Sequence, residues 1–157
     1  MEPSIYDGLR AQALNVRPAD LGVKPSGGKA AVYGVVMDMG VPQGTATLVG
    51  FVSGDASLYL STGGAMIGGG GHATVRTSAQ DWVQVVQAHL AAFSPTTSFP
   101  TPTDEYVRFY VLTSDGVLTA TVKIDAVDSG GLELSPVWYA GQRLLTDLRQ
   151  SQGRPVD

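Results

Sequence analysis

Apolar residues recur along this chain with two periods, and the points where one period gives way to the other mark its elements. Ile5, Leu9, Ala13 and Val16 fall at helical spacing behind Ser4, whose hydroxyl suits a helix start, and Pro18 stops the run. Residues 18–29 hold Gly22, Pro25, Gly27 and Gly28 without alternation and read as a connector. Residues 31–37 are apolar at nearly every position, the pattern of a strand covered on both faces. A turn at 40–44 leads into a β-branched run at 45–52, and Ser53, Gly54 and Asp55 lead into a strand at 57–60. Strands this close in sequence must run antiparallel, because a parallel return takes about a dozen residues or more.

Beyond residue 72 the period lengthens. Val75, Ala79, Trp82, Val83, Val86, Leu90 and Phe93 define one apolar helical stripe, and Gln80, Asp81, Gln84, Gln87 and Ala88 occupy the opposite face. Residues 94–104 carry Pro95, Pro100 and Pro102 among serines and threonines, so an extended linker is expected there. Residues 106–113 and 117–124 flank Ser114, Asp115 and Gly116, and the Asp-Gly pair predicts a hairpin. A turn is expected at 128–131 and a short edge strand at 132–134. Ser135 and Pro136 open a last helix with Val137, Gly141, Leu144, Leu145 and Leu148 on its apolar side. The polar residues 151–157 are expected to fray.

This order predicts an α+β fold: a central antiparallel sheet of about five or six strands with three helices. One domain is expected over 1–157, with a helix and connector at 1–29, the sheet core at 30–150 and a tail at 151–157. A meander, a crossing helix and a second meander within residues 30–150 resemble the profilin-like group of folds, the roadblock and longin domains in particular. That resemblance implies a non-catalytic scaffold that dimerises and presents a surface to a small GTPase or a motor. The run from Tyr59 through Ser61, Thr62, Gly63 and Gly64 to Gly68 also resembles segments of uncharacterised bacterial single-domain proteins. It implies a family without an activity.

Composition narrows the partners. Charged residues make up 15% of the chain, against about 25% in a typical domain, so the surface is mild. The net charge is -4 and the ten basic residues are scattered, which argues against nucleic acid, since that partner needs clustered Lys and Arg. The absence of cysteine removes disulfides, thiolate nucleophiles and sulfur-based zinc sites. The first ten residues are not those of a secretory signal, and no apolar run approaches the roughly 20 residues of a membrane span. A cytoplasmic protein with no membrane partner is expected.

The most distinctive segment is 61–72, which packs Gly63, Gly64, Gly68, Gly69, Gly70 and Gly71 between a strand and the helix that starts near His72. A phosphate-binding P-loop needs Lys and Ser or Thr after its last glycine, and here His72, Ala73 and Thr74 follow. The dinucleotide fingerprint is met only loosely by Gly68, Gly70 and Ala73 and requires a parallel βαβ unit. Three readings stay open: an anion site of loop amides with His72 and Arg76, a ligand-free loop that is mobile or tightly packed, and a partner-binding or dimer-forming segment.

No other constellation assembles from spacing. His72 can act as acid or base near neutral pH, but no Gly-x-Ser-x-Gly elbow accompanies it, and Asp55 is only a distant third member of a triad with a serine. His72 and His89 lack metal-ligand spacing. Asp104 and Glu105 are expected on opposite strand faces, and Asp125 and Asp128 as solvated caps. Tyr106, Arg108 and Tyr110 share one strand face, opposite Phe109, and suit a stacking or partner surface or a face half covered by a helix. The sequence thus favours a non-enzymatic module acting through a homodimer or a protein partner, without cofactor, metal or catalytic residues. The alternative is a small-molecule or anion binder, or an enzyme, using residues 63–71 at the helix start.

Overall fold

A computed structural model describes residues 4–23 and 30–157; the part of the expected connector at 24–29 lies outside the described residues. Helix α1 (Ile5–Leu14) begins as expected, with the Ser4 hydroxyl accepting the Asp7 amide at 3.1 Å. Its buried stripe is different, however: Tyr6 and Ala13 face inward while Ile5 is 84% exposed. Strands β1 (Val32–Val41), β2 (Gly44–Phe51) and β3 (Ala56–Leu60) form the first meander. A two-residue β4 (Ala65–Met66) then pairs back on β3 through Leu58 and Tyr59.

Helix α2 (Ala73–Ala88) crosses the sheet, and a two-residue β5 (Ser94–Pro95) follows. Strands β6 (Tyr106–Thr113) and β7 (Gly116–Lys123) form the expected hairpin about a turn at residues 114–115, with Gly116 (φ 115°) opening β7 opposite Thr113. Helices α3 (Ile124–Asp128) and α4 (Ser135–Ser151) complete the chain. The sheet is antiparallel throughout in the order β4-β3-β2-β1-β6-β7-β5, so β1 is central.

The fold is therefore α+β with one antiparallel sheet, as expected, but among the described residues it has seven strands and four α-helices. The two extra strands are pairs of residues captured by a neighbour, too short to leave a periodic signal. The expected edge strand at 132–134 is a turn instead, where the Ser135 amide donates to the Leu132 carbonyl at 3.0 Å and the Ser135 hydroxyl accepts the Leu132 amide at 3.2 Å. Asp104 and Glu105 sit in the turn before β6, not in a strand.

Strand parity sends β1 residues to two cores. Val35, Met37 and Met39 join Leu48, Leu58, Phe109 and Val111 beneath α2 and α4, where Trp82, Val86, Leu144 and Leu148 are fully buried. Val36 joins Val49, Tyr59, Tyr110 and Leu112 under α1 on the other face, to which the irregularity between Val32 and Gly34 also brings Tyr33. Gln87, placed on a polar face by its spacing, clamps the start of β1 by accepting the Val32 amide at 2.8 Å and donating to the Ala30 carbonyl at 3.1 Å. No helix among the described residues is long and apolar enough to cross a membrane.

Candidate functional site

The glycine segment turns tightly before it reaches α2. The Gly63 amide donates to the Leu60 carbonyl at 3.0 Å and the Leu60 amide to the Gly64 carbonyl at 3.1 Å, closing the β3–β4 hairpin. Gly63 (φ 118°) and Gly64 (φ 97°) supply the left-handed backbone this turn requires. Ser61 locks the hairpin to β2, its hydroxyl accepting the Thr45 amide at 2.7 Å while its own amide donates to the Thr45 carbonyl at 2.9 Å.

The second half of the segment serves close packing. Gly69 is buried, and a Cβ there would lie 2.6 Å from Leu148 Cδ1 and 2.9 Å from Val75 Cγ1. The Gly70 amide donates to the Asp55 carboxylate at 3.2 Å, and the Arg76 guanidinium donates to the Gly70 carbonyl at 2.9 Å. Asp55 and Arg76 thus hold both backbone polar groups of Gly70. The Gly71 carbonyl accepts the Asp157 amide at 3.0 Å.

The eight candidate residues consequently fall in two places. Gly63 and Gly64 line an apolar groove of about 410 Å³ with Ile5, Tyr6, Leu9 and Tyr59, on the α1 side of the sheet. Gly68, Gly69, Gly70, Gly71, His72 and Arg76 lie at the start of α2, where Gly69 packs into the core beneath α2 and α4. His72 makes no side-chain cap bond to α2. The Ala73 amide instead donates to the carboxylate of Asp157 at 2.7 Å, so the stretch expected to fray is held at its last residue. The physical reason is that an uncapped helix start offers free amides and a partial positive charge to any nearby carboxylate.

The sequence reading missed a fully buried carboxylate. Asp38 points from β1 toward α1 at 0% exposure, and its carboxylate accepts Arg10 Nε at 3.1 Å and Nη2 at 2.8 Å. The Thr47 hydroxyl donates to it at 2.6 Å, and that hydroxyl oxygen lies 2.6 Å from the Tyr6 phenol. Arg10 also donates to the Phe99 carbonyl at 2.8 Å and stands 5.6 Å from the centroid of the Tyr110 ring. Burial alone would lower the Arg10 pKa, but hydrogen bonding to Asp38 and its charge together hold it above the ordinary arginine value. The signal was present as one acid within the otherwise apolar run of β1. Its partner on α1 was not readable from spacing.

Residues 99–104 cover the neighbouring part of this face. The Tyr110 phenol donates to the Pro100 carbonyl at 2.5 Å, and Phe99 meets the Tyr110 ring edge-on at 5.5 Å. Arg108 donates to Thr121 at 2.7 Å. The face expected to carry Tyr106, Arg108 and Tyr110 is covered over Tyr110 by α1 and the proline linker together, while Tyr106 stays 40% exposed. Asp128, expected as a solvated cap, accepts the Trp138 indole at 2.9 Å. The His89 ring lies 2.7 Å from the Val85 carbonyl. No group of three or more His, Asp or Glu among the described residues has a metal-holding arrangement.

The helix side carries a second groove, about 580 Å³ between α2 and α4, bordered by Val85, Ala88, Tyr139 and Ala140 with Asp81 and Arg143 on its walls. Comparison with protein-family models, with curated proteins and with solved structures finds no match to this chain. Function is therefore argued from these surfaces alone.

Proposed function

We propose that this chain is a small non-enzymatic interaction module that acts through self-association or a protein partner. The observation that carries the reading is apolar surface left open on both sides of the sheet. The grooves under α1 and between α2 and α4 are lined largely by apolar side chains, and Ile5 and Ile67 stand 84% and 63% exposed. Contiguous apolar surface gains about 25 cal/mol per Å² when a partner removes it from water. The low charge density favours the same outcome, because few ionic groups have to lose water on docking. The profilin-like resemblance of residues 30–150, which implies a dimerising scaffold, belongs to this proposal. Light scattering coupled to size exclusion tests the self-association form: a dimer is expected, and a strict monomer at high concentration overturns it.

A second reading, an anion or small-molecule binder at the start of α2, has one observation in its favour: the Ala73 amide already holds a carboxylate, that of Asp157. A thermal-shift screen with inorganic phosphate and acidic metabolites, run on the wild type and on D157A, tests it. Stabilisation that grows in the variant supports the reading. A flat response in both removes it.

A further inference from the structure

The groove between α2 and α4 carries its charges in a self-complementary arrangement. The two helices run antiparallel: the Ser78 hydroxyl donates to the Asp147 carboxylate, and four residues further along α2 the Trp82 ring lies where a Cβ at Gly141, six residues earlier on α4, would be 3.1 Å away. Asp81 stands three residues after Ser78 and Arg143 four before Asp147, so the two reach the same level on opposite walls. Both are exposed. The ion pairs among the described residues are Arg10 with Asp38 and Arg17 with Asp20, and neither includes Asp81 or Arg143. Further along the groove from this pair, Val85 and Ala88 on α2 and Ala140 on α4 are apolar and lie beside Tyr139.

We propose that a second copy of the chain docks on this face, related by a two-fold axis running along the groove. Such an axis turns the face over without sliding it along the helices. Helix α2 of one copy then lies over α4 of the other, and each Asp81 faces the Arg143 of the opposite copy. A two-fold interface requires that every contact be made twice with the roles exchanged. Opposite charges at one level on the two walls satisfy this requirement, whereas like charges there would repel across the axis. The proposal rests on the self-association reading and specifies which surface performs it.

The test is sedimentation equilibrium of the full chain as wild type, D81R, R143D, the double charge swap D81R/R143D, and A88R, which fills the groove. Circular dichroism of each variant verifies folding. The wild type is expected to dimerise, each single charge reversal to weaken dimerisation about a hundredfold or more, and the double swap to recover to within about tenfold of wild type. A88R is expected to weaken it as well. A wild type that stays monomeric at high concentration overturns this inference and the self-association reading together. A wild-type dimer indifferent to the variants, or a double swap that does not recover, overturns this face alone and leaves that reading standing.

Discussion

Without the Arg10 guanidinium, the Asp38 carboxylate on β1 would keep only the Thr47 hydroxyl as a partner while remaining fully buried. Leaving a buried charge uncompensated costs about 3–5 kcal/mol, whereas replacing both partners with apolar groups is often neutral. We therefore expect R10M to lose stability in that range, and R10M/D38L to recover much of it, as read from urea denaturation midpoints. A variant R10M as stable as wild type would show that α1 does not depend on this pair. Gly40 makes a second residue-scale case. A Cβ there would lie 2.0 Å from the Thr103 carbonyl oxygen and 2.7 Å from its carbon, both backbone atoms. G40A must push residues 103–104 off the sheet, at a cost of about 1–3 kcal/mol by the measure of overpacked sites, and should lower the melting temperature accordingly. Neither case could be read from residue type alone: Asp38 was visible as an acid among apolar neighbours, but Arg10 and Thr103 reach it and Gly40 only through the fold.

At the scale of elements, helix α2 depends on a distant residue for its start. Its preceding residue, His72, provides no side-chain cap, and the Asp157 carboxylate takes the Ala73 amide in its place. A lost cap costs about 0.5–2 kcal/mol, so D157A is expected to fall in that range by thermal denaturation. Hydrogen exchange should speed up selectively at Ala73 to Arg76, and uniform protection in the variant would reject the capping role. The elements that periodicity identified, α1, β1 to β3, α2, the β6–β7 hairpin and α4, are those with enough residues to display a repeating pattern. Strands β4 and β5 were invisible because two residues have no period, and their pairing is decided by β3 and β7. The turn at 132–134 reads as a strand because Leu132 and Leu134 alternate, yet the Ser135 cap bends it into the start of α4.

Across the whole molecule, pH acts through tyrosines shared between the sheet and its coverings. Burial raises the phenol pKa values of Tyr6, Tyr33, Tyr59 and Tyr110 above the ordinary value of 10.0. The unfolded chain releases these protons near pH 10, while the folded chain still holds them. The native state therefore binds more protons above that pH, so their contribution is intact below pH 10 and is lost as pH rises through the raised values. Denaturant midpoints should stay level toward pH 10 from below as far as these groups are concerned, then drop beyond it. Phenolate absorbance should show these four rings ionising only above the usual tyrosine range or together with unfolding. Y110F should reduce the alkaline dependence. A midpoint that rises through this window would contradict the burial of these rings.

The amino-acid sequence by itself determined the α+β class, the antiparallel meanders, the apolar faces of α2 and α4 and the mild surface, because these follow from periodicity, turn chemistry and composition. It also marked residues 63–72 as unusual. Only the tertiary structure decided what those glycines do: Gly63 and Gly64 shape a hairpin beside α1, and Gly69 lets β3, α2 and α4 close on one another. The same holds for the union of Arg10 with Asp38, of Asp157 with the start of α2, and for the level of Asp81 with Arg143. The physical reason is reach. Local pattern reports interactions within one turn or one strand pair, whereas Arg10 and Asp38, 28 positions apart, and Ala73 and Asp157, 84 apart, touch only through the tertiary fold, and Asp81 and Arg143, 62 apart, border one groove for the same reason.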